Sequence, residues 1–295
     1  MAEKQKYTVP GDLYFKIDGL IHELKRQLRQ KGGCPTDPRK IAHILQKVIE
    51  PAKCDELLTP EELLKFLPFA DEEAESNLSY PKDFRIRTPD EQLQVWEKHF
   101  PKLDRSYVLQ FGNAPRSFPK EAEAWAVIPK PSKIGKTYHK ALDKMLKLIA
   151  QSRKFQNWRE GELGPKYVRL TEKAKQALNK LEKEIPGDFL VFPFQFGMHW
   201  RGRSVRRARV LFSKNEFGLG PYEIAALLVT HSDRITGPGQ LYIDCAGSEY
   251  SPHADGGFQY CLYFFWHDDC GCLGLHYSWH VYVAPGFGAV SGFRL

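Results

Sequence analysis

Cysteine is scarce in this chain, and long hydrophobic runs are missing. The 295 residues include six cysteines, too few for a disulfide framework in a protein of this size. The longest apolar run, Ile224 to Val229, is far shorter than the roughly 20 residues that a membrane-spanning helix needs. The opening residues, MAEKQKYTVPGD, contain no apolar signal core. We therefore expect a soluble, cytoplasmic protein with reduced thiols and no membrane segment.

Fixed positive charge is also scarce in the C-terminal third, except at one place. Residues 190–295 hold seven Arg, one Lys and eight acidic residues, so this region is neutral as a whole. Five of the seven arginines lie within residues 201–209. The net charge of +7 comes from residues 1–189, whose mixed Lys and Glu are typical of a solvated surface. The clustered arginines therefore indicate a site.

The distribution of residue types divides the chain into three regions. Residues 1–105 are expected to be helical, and apolar stripes from Leu13 to Leu28 and from Ile41 to Ile49 predict a helical hairpin. Residues 106–186 are expected to connect strands and helices. Residues 187–295 form the third region, and 20 of the 38 aromatic residues lie within 190–295, which predicts a β-rich core. The predicted fold class is α+β, with a helical N-terminal part and, in the C-terminal part, a mixed, mainly antiparallel, aromatic-rich sheet with two helices.

Local signals place the individual elements. Thr59 and Thr88 are each followed by Pro and then by Glu three residues after the Thr, which predicts two capped helix starts. Asp71 to Asn77 is acidic and is expected to be an exposed loop. Apolar periodicity predicts helices over 136–158 and 171–184, strands over 106–112, 122–128, 189–196 and 241–245, and a hairpin formed by 258–266 and 273–283.

The arginine cluster is predicted to open a helix over residues 204–217. Val205, Ala208 and Leu211 share one side of a helical wheel, with the arginines opposite. Ser204 is the expected N-cap and Gly218 the expected stop, and a second helix follows from Pro221. Cations in a first helical turn oppose the macrodipole, so they need compensation. A bound anion would supply it, and so would internal carboxylates such as Glu216, Glu223 or Asp233.

The anion alternative predicts recognition of a phosphate-bearing partner, with nucleic acid as the expected class. Such binding would depend steeply on salt. His199 and Trp200 would stack on bases, and Ser204 with its neighbouring amides would receive a phosphate. The predicted anion-binding residues are Arg201, Arg203, Ser204, Arg206 and Arg207. Gly197 to Ser204 also has the spacing of a P-loop, although Arg203 replaces the usual lysine.

An enzyme acting on a phosphorylated or nucleotide substrate is the second hypothesis. Its acid–base candidates follow a predicted strand end in a Gly-rich stretch and are Asp244, Glu249, His253 and Asp255. The same residue types are ordinary turn formers. Cys270-Gly271-Cys272 lies beside His267, but the spacing favours a hairpin turn with two thiols. No metal site and no cofactor are predicted. A third hypothesis is a scaffold whose N-terminal helical hairpin docks another protein.

The arginine stretch resembles one in a group of conserved bacterial proteins without an assigned function. The shared residues are Gly-Arg-Ser-Val-Arg-Arg-Ala-Arg (202–209), Asn-Glu-Phe-Gly-Leu-Gly (215–220), Thr230 with His231 and Arg234, Asp-Cys-Ala-Gly (244–247) and Ser-Gly-Phe (291–293). The resemblance covers about residues 190–295 and the opening hairpin, and it implies no activity. Ser248 stands where that pattern often has an acidic residue, which argues against a metal at this loop.

Overall fold

A computed structural model describes residue 69, residues 71–112 and residues 117–294. The predicted hairpin of residues 13–49 and the predicted helix start at Thr59 lie outside these residues. From Glu72 onward the described residues belong to one compact unit. Its fold class is α+β, as predicted.

Helices and strands are interspersed up to Thr230, and the last six elements of this unit are all strands. Its helices are α1 (Pro89–His99), α2 (Ser106–Gly112), α3 (Pro131–Ile134), α4 (Tyr138–Ser152), α5 (Glu172–Glu184), α6 (Val205–Leu211) and α7 (Pro221–Thr230). Its strands are β1 (Ala124–Pro129), β2 (Phe155–Asn157), β3 (Val168–Leu170), β4 (Phe189–Gln195), β5 (Glu216–Gly218), β6 (Tyr242–Asp244), β7 (Ser248–Tyr250), β8 (Tyr260–His267), β9 (Cys272–Trp279), β10 (Phe287–Ala289) and β11 (Ser291–Phe293). Within the described residues, no helix is both long and apolar enough to span a bilayer.

Threonine caps begin three of these helices. Thr88 accepts a hydrogen bond from the amide of Glu91, whose carboxylate accepts one from the amide of Thr88, so the predicted capping box of α1 is confirmed. Thr137 and Thr171 cap α4 and α5 by accepting hydrogen bonds from the amides of Lys140 and Ala174. The apolar face predicted for α4 is buried, and its members are Leu142, Met145, Leu146 and Ile149.

Residues 106–112 form helix α2, so the prediction of a strand there is wrong. Tyr, Val and Phe in this stretch favour strands. However, Val108 and Phe111 lie three residues apart and are both buried, which places them on one helical face. Oδ1 of Asp104 also accepts a hydrogen bond from the amide of Ser106 at 3.0 Å. Burial and this local bond outweigh the strand propensity.

Helix α6 begins where the sequence predicts and ends earlier. Ser204 is its N-cap, but the helix stops at Leu211, so the prediction that it continues to Gly218 is wrong. The chain turns at Phe212, which is buried, and residues Glu216–Gly218 form strand β5 instead. Pairing of β5 with β11 supplies the backbone hydrogen bonds that a longer helix would have made.

The strands form two sheets. The four-stranded sheet has the order β1-β4-β11-β5, with every neighbouring pair antiparallel. In the seven-stranded sheet β8 pairs antiparallel with β6, β7 and β9, while β10 with β6 and β2 with β9 are parallel. The predicted mixed, mainly antiparallel character is confirmed, and β8 with β9 is the predicted hairpin.

Helix α6 lies at the end of the larger sheet. The amide of Arg206 donates to the carbonyl oxygen of His280, just after β9, at 3.0 Å. The guanidinium of Arg209 donates to the carbonyl oxygen of Ala246, which lies between β6 and β7, and to that of Ser248, the first residue of β7. The start of β9 carries a disulfide between Cys270 and Cys272. The expectation that these two thiols are reduced is therefore wrong, because the hairpin turn holds them side by side.

Candidate functional site

The arginine helix begins against an acidic segment. Ser204 accepts a hydrogen bond from the amide of Arg207 at 2.9 Å, as an N-cap does. Its hydroxyl donates to Oε2 of Glu72 at 2.5 Å, and its amide donates to the carbonyl oxygen of Glu72 at 3.1 Å. Glu72 is buried and also forms an ion pair with Arg206. The carboxylate of Glu72 therefore occupies the position at the start of α6 where the sequence predicted a bound phosphate.

Glu73 pairs with two further arginines. Nε of Arg207 donates to one carboxylate oxygen at 2.7 Å, and Nε of Arg203 lies 3.5 Å from the other. The prediction of an exposed acidic loop from Asp71 to Asn77 is wrong at Glu72, which is buried because it compensates cations in the first turn of α6.

The acidic side chains named as alternative partners bind elsewhere. Glu216 accepts from Trp200, Glu223 from Tyr138 and Asp233 from Arg87. Carboxylates of the chain do compensate the arginines, as the second alternative predicted. These carboxylates are not the ones named, however, and they come from a segment 132 to 134 residues earlier in the sequence.

The two predicted stacking residues differ in exposure. Trp200 is only 7% exposed, and its indole N–H donates to Oε1 of Glu216 at 2.6 Å. The prediction that Trp200 stacks on a base is therefore wrong in this arrangement. His199 is exposed and lies edge-on to Trp200, with ring centroids 4.4 Å apart. Partial burial lowers the pKa of His199 below its ordinary value, which favours the neutral ring.

A pocket of about 470 Å³ opens beside the β4–α6 loop. Its charged and titratable lining comes from two segments that are distant in sequence. Lys120, Glu121 and Glu123 precede β1, whereas His199, Arg201 and Arg203 belong to the β4–α6 loop. We call it the Lys120 pocket. It brings together two of the predicted anion-binding residues, Arg201 and Arg203, and leaves Ser204, Arg206 and Arg207 outside its lining.

In the Lys120 pocket the carboxylate of Glu123 has hydrogen-bond partners, whereas two of the cations have no carboxylate partner among the described residues. Both oxygens of Glu123 accept from the hydroxyl of Tyr80 at 2.8 Å, one also accepts from the amide of Phe196, and burial raises the pKa of Glu123. Arg201 donates through Nη1 to the carbonyl oxygen of Leu78 at 3.1 Å. Over residues 71–112 and 117–294, neither Lys120 nor Arg201 has a carboxylate partner. These two cations are available to an anion.

Two glycines shape this loop. Gly197 and Gly202 have φ values of 107° and 73°, in the left-handed region that favours glycine. A Cβ at Gly202 would lie 2.1 Å from the carbonyl oxygen of Ala74. The P-loop alternative is wrong, because that motif follows a strand of a parallel sheet, whereas β4 lies between two antiparallel neighbours. The glycines are required by the turn and by close contact with residues 74–76.

Asp244 and Glu249 both interact electrostatically with Arg209. Burial raises the pKa of Asp244 to about 7, and the nearby charge of Arg209 opposes this shift. Oε2 of Glu249 accepts from Arg169 at 2.7 Å, and its Oε1 lies 3.9 Å from Arg209. A carboxyl group with a pKa of about 7 can both donate and accept a proton near neutral pH, so Asp244 remains an acid–base candidate. Glu249 is instead an ion-pair partner of Arg169 and Arg209.

The other two acid–base candidates lie in an exposed turn after β7. His253 and Asp255 are both exposed. Oδ1 of Asp255 accepts from the hydroxyl of Ser251 at 2.8 Å and from the amide of Gly257 at 2.9 Å, and these bonds lower its pKa. Among the described residues no hydrogen bond joins any two of the four candidates. Asp255 is a turn-forming residue, in line with the alternative that the sequence left open.

The described chain contains no group of three or more His, Cys, Asp or Glu that could hold a metal ion. Cys270 and Cys272 are bonded to each other. The two remaining described cysteines, Cys245 and Cys261, are buried, and burial raises the pKa of both thiols. A thiol nucleophile at Cys245 is disfavoured, because the thiolate is the reactive form.

Several residues of the site were not predicted from the sequence. Lys120 and Glu123 form one wall of the pocket, and Glu72 and Glu73 neutralise the arginine helix. A strand was predicted over 122–128, and β1 lies at 124–129, but nothing in the spacing of its residues indicates that it pairs with β4 and brings Lys120 to the arginine loop. Pairing between distant strands is the information that local patterns lack.

No protein-family model matches the chain, no curated protein matches its sequence, and no solved structure matches its fold. The resemblance drawn from residues 190–295 stays a prediction. The function is therefore argued from the geometry of the site alone.

Proposed function

We propose that this protein binds a phosphate-bearing partner, single-stranded nucleic acid, at the Lys120 pocket. The observation that carries the proposal is the convergence of Lys120 and Arg201, two cations without a carboxylate partner in the described chain, from separate segments onto one open depression. Arginine and lysine are the side chains that most often contact phosphate oxygens.

Arg203 adds a third positive charge to the lining. Its guanidinium lies 5.5 Å from the ring centroid of Trp200 and 3.5 Å from a carboxylate oxygen of Glu73. Glu73 thereby holds the Arg203 side chain in one orientation and offsets part of its charge. Fixed cations lose less side-chain entropy when they bind an anion.

The shape and the exposed ring of the pocket favour a strand over a small phosphorylated molecule. The depression is open to solvent and not enclosed, so it can admit part of a nucleic-acid strand. His199 is exposed at its rim, and a neutral imidazole ring there can stack on a base. A cytoplasmic location for this binding stays a prediction from the sequence.

The test is the affinity of a fluorescently labelled oligothymidylate for wild type and for Lys120→Gln, measured by anisotropy at low salt. We expect about a tenfold loss for Lys120→Gln, since a hydrogen bond to a charged group contributes roughly 1.5–3 kcal/mol. Lys214→Gln is the matched control, because Lys214 is exposed and lies outside the pocket. Equal affinities of the two variants would contradict the proposal.

A further inference from the structure

One face of the seven-stranded sheet carries aromatic rings from three neighbouring strands, β10, β6 and β8, and from the residue that follows β2. Tyr242 on β6 packs against Phe265 on β8 and Phe287 on β10, with ring centroids 5.6 and 5.2 Å apart. Tyr263 lies 5.0 Å from Phe287. Beyond β9, Trp158 lies 5.5 Å from Phe265. We call this surface the ring face.

The ring face is half-exposed, whereas the opposite face of the same strands is core. Tyr242, Tyr263, Phe265 and Trp158 all have intermediate exposure. On the other side, the alternating residues are fully buried, and they include Ile243, Leu262, Phe264 and Leu275. The half-exposed aromatic rings of the ring face are therefore at the surface of the sheet and are not part of the hydrophobic core on its other side.

A glycine allows the rings to meet across β9. A Cβ at Gly274 would lie 2.4 Å from Trp158 and 2.6 Å from Phe265. Any side chain at this position would push the two rings apart. The absence of a side chain at Gly274 keeps the ring face continuous from β8 to Trp158.

The ring face ends at a buried carboxylate. The strand register places Asp244 opposite Tyr263, so both side chains lie on the ring face. Asp244 is only 5% exposed, yet within the described chain its carboxylate accepts no hydrogen bond. Its oxygens are not among the fully enclosed side-chain atoms that lack a partner in the described residues, so they keep a small contact with solvent. This carboxylate is suited to a donor that comes from outside the chain.

We infer that the ring face binds a guanine base, with its ring stacked on Tyr242 and Tyr263 and its N–H edge donating to the carboxylate of Asp244. Bases stack on aromatic side chains of sheets. Guanine carries two adjacent donors, N1–H and the 2-amino group, in the plane of its ring. A base stacked on the ring face can direct both toward the two oxygens of one carboxylate, a bidentate geometry. The inference does not rest on the Lys120 pocket, since it uses other residues.

The first test needs only wild-type protein. Guanosine, inosine and adenosine carry no phosphate, and their binding is measured by isothermal titration and by quenching of tryptophan fluorescence. We expect guanosine to bind, inosine to bind about tenfold more weakly because it lacks the 2-amino donor, and adenosine not to bind measurably. Failure of guanosine to bind at its solubility limit, or equal binding of all three, would overturn the inference.

The second test uses variants with matched controls. Asp244→Asn keeps the side-chain shape but replaces one acceptor with a donor, so guanosine affinity should fall at least tenfold. Asp269→Asn, on the exposed turn between β8 and β9, should leave it unchanged. Tyr242→Leu should weaken guanosine and inosine alike, since it removes stacking only. Unchanged guanosine affinity in Asp244→Asn would refute the assignment.

A third variant separates the two proposals of function. Lys120→Gln should bind guanosine as wild type does, because Lys120 is not part of the ring face. Loss of oligothymidylate binding with guanosine binding intact would leave the ring face assignment standing. Loss of guanosine binding in Lys120→Gln would contradict the independence of the two sites.

Discussion

Burial fixes the protonation state of His231 at the end of α7. Its Nε2 accepts a hydrogen bond from the amide of Arg87 at 2.9 Å, so the ring proton is on Nδ1, which donates to the carbonyl oxygen of Leu227 at 2.9 Å. Burial, the largest cause, lowers the pKa of His231 to about 4. Protonating Nε2 would break the bond to Arg87 and bury a charge, so the folded state favours the neutral ring.

The stability of the protein should therefore depend on His231 at mildly acid pH. In the unfolded chain this histidine titrates at about 6.5, above its folded pKa of about 4. Its contribution is complete above pH 6.5 and is lost as the pH falls toward 4, by about 3 kcal/mol in total. Urea unfolding of wild type and His231→Gln across this range measures the effect. Wild type should lose more stability, and parallel curves would contradict the account.

At the scale of elements, α6 shows which features of a sequence determine a helix. Ser204 predicted its start, because an N-cap is read from neighbouring residues. Its end at Leu211 depends on Phe212 entering the core and on β5 pairing with β11, which no local pattern contains. The same reason explains α2, where buried Val108 and Phe111 outweigh strand propensity.

Helix α6 should depend on Glu72 for its attachment. Glu72→Ala removes the acceptor of the Ser204 hydroxyl and the ion-pair partner of Arg206. We expect a loss of about 1–3 kcal/mol in the free energy of unfolding, the usual cost when a buried hydrogen-bonded group loses its partner. Glu75→Ala, at an exposed neighbouring position, is the control. Equal stabilities of the two variants, measured by denaturant unfolding, would show that the Glu72 contacts contribute nothing.

At the scale of the whole molecule, the fold class and the mainly antiparallel sheet were predictable, since aromatic composition and alternation carry that information. The arrangement of the site was not. Arg201 and Arg203 were identified from their clustering, but Lys120 reaches them only through the pairing of β1 with β4. Asp244 was identified by its position at a strand end, and its missing partner becomes evident only from the packed structure.

The proposed binding of nucleic acid is tested most directly by the salt dependence of oligothymidylate affinity. Each phosphate neutralised on a single strand contributes about 0.7 to the slope of log affinity against log salt. Three cations in the pocket, Lys120, Arg201 and Arg203, predict a slope of about −2 for wild type. Lys120→Gln should lower its magnitude by about 0.7, while Lys214→Gln should leave it unchanged. A slope that is the same in wild type and Lys120→Gln would contradict the account.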